Sequence, residues 1–223
     1  MKSIIKEVPR TPEAPHMTDE LIELLTSLCF RKNDELPLGA DTLFVFGSIS
    51  SLASMVCELT DIITQEKIRH LIISGGRSLS AERKIDQSES DIILEHIDHL
   101  LDGDIRVITE ETSTNSLENV KNALDLCDLT NSQSLCFVHK YHTAGRAFLT
   151  LQKFLPNMEF KQRAFTSKNC SPETWFKDDH FRKLVWGEFL RIEKYGSRGD
   201  IEFSSVESIV NKINKLTSAH PRA

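Results

Sequence analysis

The segment Thr109–Leu124, TEETSTNSLENVKNAL, crowds three carboxylates, five hydroxyls and three amides into the approach to a helix. Asn115 with Glu118 fits a capping box, and one such cap is worth roughly 0.5–2 kcal/mol. A cap accounts for two of these residues and not for the cluster. At about 100° per residue, Glu118 turns away from the apolar face of Leu117, Val120, Leu124 and Cys127, with Asn119 near its border. Spacing alone therefore makes Glu118 a cap partner and leaves Glu110, Ser113, Asn115 and Asn119 as candidates for ligand contacts. Glu89 poses the same question. It shares a helix face with Ile85, Ile92, Ile93 and Ile97, and a charge on an apolar stripe is costly unless paired or hydrogen-bonded. It either serves a site or favours the helix N-terminus by about 0.3–1 kcal/mol.

Three further stretches carry chemistry. In IISGG, Gly75 and Gly76 follow an apolar run, where glycine lets an anion approach backbone N–H groups or simply lets the chain turn. No GK[ST] follows and the spacing is not GxGxxG. His142 and Arg146 lie off the apolar stripe Ala144, Ala147, Phe148, Leu151, Phe154 and Leu155. They are either a solvated pair or an acid–base group with an anion holder. The spacings His139-x-x-His142 and His96-x-x-His99 lack a third ligand in a zinc pattern, so no metal is expected, and His96 and His99 suit a helix C-terminus.

These residues need elements to position them. An alternation of short apolar runs and helical periodicity starts at DTLFVFG and continues through HLIIS, DIRVIT and SLCFVH to the more alternating MEFKQRAF. The first four runs recur about every 30 residues with a helix after each, the pattern of βαβ units and a parallel sheet. MEFKQRAF reads as an edge strand. A helix is predicted from Thr18 to Phe30, a long helical stretch from Ser171 with Pro172 at its first position, and a last helix opened by a Ser204–Glu207 capping box. The expected organisation is an extended arm over residues 1–17, an α/β core over 18–170 and a helical region over 171–223 packed on that core. Ligands in such sheets bind beyond the strands' carboxyl ends. The segments there are Gly47-Ser48, Ser74-Gly75-Gly76-Arg77, Thr109-Glu110-Glu111 and His139-Lys140-Tyr141-His142. The topology gathers them on one rim.

The 223 residues and 27% charged content describe an ordinary globular chain, and the net charge of -6 argues against a nucleic-acid partner. The five cysteines show no CxxC pair, and Cys29, Cys57, Cys127 and Cys136 sit in apolar stretches, so a reducing, cytoplasmic setting is expected. The N-terminus lacks a signal-peptide core, and no apolar run approaches the roughly 20 residues of a membrane span.

The order LFVFG, IISGG, SESDIILEHI, ITEETSTNSLENVKNAL and FVHKYHTAGRA resembles the YdcF-like domains, relatives of SanA and ElyC. The matching positions are Ser74-Gly75-Gly76, Ser88-Glu89, Glu110 with Ser113, Asn115, Ser116, Glu118 and Asn119, and Tyr141-His142 with Arg146-Ala147. The likeness continues into LVWGEFLRIEKYGSRGD. It departs from the family at Ser90, where alanine is common, and at His139, where threonine is. The resemblance implies a Rossmann-like three-layer α/β sandwich of about five mostly parallel strands, an unassigned activity, and S-adenosylmethionine as a candidate ligand. It also raises Glu118 from cap to candidate ligand contact. SanA and ElyC carry membrane anchors, so their envelope role is not carried over.

Three functions stay open. One is an enzyme or binder for a nucleoside-type or phosphorylated small molecule, with Gly47, Ser74, Gly75, Gly76, Ser88, Glu110, Ser113, Asn115, Glu118, Asn119 and Arg146 lining its site. Binding of S-adenosylmethionine without methyl transfer fits better than catalysis, because FVFGSISS lacks the usual methyltransferase glycines. A second is a hydrolase of a small phosphorylated or glycosylated substrate, with Glu89 as base and His142 as acid. A third is a ligand-sensing or interaction module using the aromatics of TWFKDDHFRKLVWGEFL. Oligomeric state is not legible.

Overall fold

The computed structural model describes residues 8–77, 86–129, 132–166 and 170–218. Ile85, most of the loop expected after the second strand, and the first residues of the expected arm lie outside them. The elements run α1 (Asp19–Cys29), β1 (Thr42–Phe46), α2 (Leu52–Gln65), β2 (His70–Ser74), α3 (Glu89–Ile97), β3 (Arg106–Glu110), α4 (Ser116–Leu126), β4 (Ser134–Lys140), α5 (Ala144–Phe154), β5 (Glu159–Phe165), α6 (Asp179–Arg198) and α7 (Glu207–Ser218). The chain divides into two units, one of Lys32–Lys140 and Thr150–Ser167, the other of Met1–Arg31, Tyr141–Leu149 and Lys168–Ala223, each as far as the described residues reach.

The first unit is an α/β sandwich around one sheet. Its strands lie in the order β3-β2-β1-β4-β5, and every pair is parallel. The continuous apolar runs explain themselves here. All residues of β1 are buried, because the central strands are covered on both faces. β5 sits at an edge, as its alternation predicts. Helices connect the parallel strands and flank the sheet. Leu43 and Val45 of β1, Leu71 and Ile73 of β2 and Cys136 and Val138 of β4 share a core with Met55, Leu59 and Ile62 of α2 and Ile93 and Ile97 of α3. α4 packs on β2 and β3, burying Val120 and Ala123. The chain goes from β1 outward to β2 and β3, then crosses to β4 on the other side of β1. The strand order therefore reverses between β1 and β4, the kind of point beyond whose carboxyl ends open α/β sheets bind ligands.

The second unit is helical. Leu21, Leu25 and Leu28 of α1, Leu149 of α5, Val185, Trp186, Phe189 and Ile192 of α6 and Val210 and Ile213 of α7 share its core with Trp175. The aromatics of the C-terminal region thus serve mainly as packing, and Trp175 donates to Thr26 Oγ1 at 2.9 Å. Two expected helix starts move. α6 begins at Asp179, because Asp178 rather than Ser171 accepts from its first amides. Ser204 turns to Glu202 and not to Glu207, so the predicted capping box before α7 does not form. α6 ends on Gly199 in the left-handed conformation, and Arg198 pairs with Asp200 at 2.7 Å, which accounts for the RGD tripeptide as a helix stop. Cys57 is exposed, contrary to its apolar surroundings in the sequence. Among the described residues no helix is long and apolar enough to cross a membrane.

Candidate functional site

Glu110, the last residue of β3, is buried. Its Oε2 accepts from Ser74 Oγ at 2.6 Å. Its Oε1 accepts from the Thr112 and Ser113 amides at 2.7 and 2.8 Å, from Thr112 Oγ1 at 2.8 Å and from Asn122 Nδ2 at 3.3 Å. Burial alone would raise this carboxyl. The hydrogen bonds from Ser113, Ser74 and Thr112 more than offset it and hold the group down at about 2. Ser74 Oγ also reaches the Asn119 carbonyl, and Asn119 Nδ2 donates to the Ser74 carbonyl. Ser74, Glu110, Ser113 and Asn119 therefore form a latch that joins the ends of β2 and β3 to α4. Ser74, Glu110 and Asn119 engage one another through their side chains, whereas Ser113 joins through its amide and its buried hydroxyl has no hydrogen-bond partner among the described residues.

Asn115 caps α4 by accepting from the Leu117 and Glu118 amides at 3.1 and 3.0 Å. Glu118 reaches back past the cap, and its Oε2 accepts from the Thr114 amide and hydroxyl at 2.7 and 2.8 Å. Ser88 caps α3. Ser90 donates to the Gly75 carbonyl at 3.1 Å and pins the helix start to the end of β2.

The three glycines are held by close approach. A Cβ on Gly47 would lie 2.8 Å from Gly75 Cα, and one on Gly76 would lie 2.2 Å from the Ser113 carbonyl. The Gly75 amide donates to the Glu110 carbonyl at 2.9 Å and the Gly47 amide to the Ser74 carbonyl at 2.7 Å, continuing the ladder. These amides are thus committed to the sheet. What the close approach creates is a floor. Glu89 Cβ sits 3.1 and 3.0 Å from where Cβ atoms on Gly47 and Gly75 would be, and its Oε2 lies 3.5 Å from the latter, so this half-buried residue packs on both strand ends with its carboxylate at Gly75.

On the other side of Gly47 stand groups at or just after the ends of β1 and β4. Lys140 Nζ donates to Ser50 Oγ at 2.6 Å, and Ser48 Oγ lies 3.5 Å from Ser50 Oγ. His139 is buried against Phe46 with ring centroids 4.6 Å apart, and its Nδ1 accepts from the Lys140 amide at 2.8 Å, which leaves its proton on Nε2.

His142 and Arg146 belong to the second unit. Arg146 is buried and its Nε donates to Glu188 Oε2 at 2.7 Å, while Arg191 Nη1 donates to Glu188 Oε1 at 3.0 Å. Burial alone would raise the Glu188 carboxyl. Arg146 and Arg191 hold it at about 2, with His142 adding to the pull. Glu188 was findable by the argument applied to Glu89, since it stands three after Val185 and four before Ile192 on a buried stripe. Burial and Glu188 push the nearby Cys29 thiol up, away from the thiolate form. No family model matches this chain, and no curated protein does.

Proposed function

We propose that the sheet unit binds a nucleoside-type or phosphorylated small molecule at the carboxyl edge of its sheet, as the YdcF-like resemblance implies. One observation carries the reading. Glu89 is a half-buried residue packed on two glycines at the strand ends, with its carboxylate beside Gly75, next to the point where strand order reverses. A carboxylate in that position accepts hydrogen bonds from paired ribose hydroxyls or from an ammonium group. S-adenosylmethionine carries groups of that kind, its ribose hydroxyls and its ammonium, either of which Glu89 would accept from. When bound it would supply an activated methyl group, while Glu89 binds and orients. The latch of Ser74, Glu110, Ser113 and Asn119 then serves the site by holding Gly75 and the start of α4 in register.

The test is calorimetric titration of the purified protein with a panel of nucleosides, nucleotides and S-adenosylmethionine. At least one should bind, and Glu89→Gln should weaken it by about tenfold or more, the value of a charge-assisted hydrogen bond. Absence of binding across the panel, or an affinity unmoved by Glu89→Gln, rejects the reading.

A further inference from the structure

We infer that residues 8–13 form a strap on the helical unit, clasped by Arg191 and able to open while α6 stays folded. Both the arm and α6 belong to that unit. Lys183, Gly187 and Arg191 stand four apart on α6 and so make one ridge. The arm meets the ridge in order and runs against the helix direction. Lys183 Nζ pairs with Glu13 at 3.0 Å. A Cβ on Gly187 would lie 3.1 Å from both the Arg10 carbonyl and Pro12 Cδ. Arg191 Nη2 donates to the Pro9 carbonyl at 2.8 Å and to the Val8 carbonyl at 3.4 Å. The lengths agree. From Lys183 to Arg191 the helix rises about 12 Å, and extended chain from Pro9 to Glu13 spans about 14 Å at most.

The sequence suits a strap. Pro9, Pro12 and Pro15 lack an N–H and have a fixed φ, and residues 8–18 join no helix or strand. Prolines also lower the conformational entropy lost on docking. The arm's carbonyls must find donors elsewhere, and Arg191 supplies them. Its Nη1 is anchored on Glu188 Oε1 at 3.0 Å, which presents Nη2 to the arm in a planar fork that a lysine cannot copy. Glu13 is exposed, so its ion pair adds little, and the clasp is Arg191. Past Glu13 the hold turns apolar. Ala14 and Met17 pack on the helical core, and Thr18 caps α1. The strap therefore parts from the unit at Ala14, and its opening bares a ridge with two cations and a backbone notch between them.

The experiment follows trypsin cleavage after the exposed Arg10 by mass spectrometry, in the full chain and in a synthetic peptide of residues 8–18, alongside hydrogen exchange of the α6 amides. Wild type should be cut about tenfold or more slowly than the peptide. Arg191→Lys should speed cleavage about tenfold. Gly187→Ala should speed it as well, although alanine is the better helix former. Exchange in α6 should be unchanged in both variants. Lys183→Met should alter the rate by less than about fivefold. Wild-type cleavage as fast as the peptide's, or protection that survives both Arg191→Lys and Gly187→Ala, overturns the strap. A larger effect of Lys183→Met than of Arg191→Lys overturns Arg191 as the clasp. Protection at Arg10 that is lost only together with protection in α6, in every variant, shows the arm to be an integral part of the helical fold and overturns its separate opening.

Discussion

Two buried carboxylates set the chemistry at the scale of single residues, and both are held charged by what surrounds them. Glu110 is held by hydrogen bonds, Glu188 by two guanidinium groups. The second arrangement is the more fragile. Removing one partner of a buried ion pair strands the other charge, whereas replacing the whole pair by apolar groups can be neutral. Arg146→Ala should therefore cost about 3–5 kcal/mol, and Arg146→Met combined with Glu188→Leu much less. Urea denaturation followed by tryptophan fluorescence reads this directly, since Trp175 and Trp186 share the Glu188 unit's core. A cost below about 1 kcal/mol for Arg146→Ala would mean that the pair is solvated. Arg146 is thus a residue whose type suggests anion binding and whose observed partner is internal.

At the scale of elements, the strand ends are joined by close backbone approach as well as by the side chains of the latch. Gly47, Gly75 and Gly76 bring β1, β2 and the β3–α4 loop closer than any Cβ permits. Gly76→Ala would press a methyl against the Ser113 carbonyl and should destabilise by about 1–3 kcal/mol. Gly103 has nothing within 4 Å of its would-be Cβ. There alanine should be neutral or stabilise by about 0.4–1 kcal/mol through the unfolded chain. Thermal melts of the two variants separate the cases, and equal midpoints would show that the β2 end yields to the intruding methyl. These glycines were legible in the sequence as special positions. Their purpose was not, because a turn that cradles an anion and a turn that lets two backbones touch require the same residue.

At the scale of the whole molecule, each unit holds, among the described residues, one buried glutamate at about 2, against about 4.3 for an unfolded glutamate. The folded value lies below the unfolded one, so between them the unfolded chain binds more protons. The stability these groups contribute is complete above about pH 5 and is lost as pH falls toward 2. Urea midpoints should drop between pH 6 and pH 3. Glu110→Gln with Glu188→Gln should flatten that dependence while lowering stability at neutral pH. A double variant as acid-sensitive as the wild type would place the sensitivity in other groups.

Periodicity by itself determined the order of elements and the parallel sheet, because strands covered on both faces must be continuously apolar and helices between them must be amphipathic. It also marked Glu89, Asn115 and the residues after each strand. Partnership was decided only by the folded chain. Glu110 meets Ser74, and Arg146 meets Glu188, across separations of 36 and 42 residues. A carboxylate that binds a ligand and one that binds its own chain have identical local sequence requirements. Which of the two it becomes depends on where distant strands end, and that is settled when the sheet and the helical core assemble.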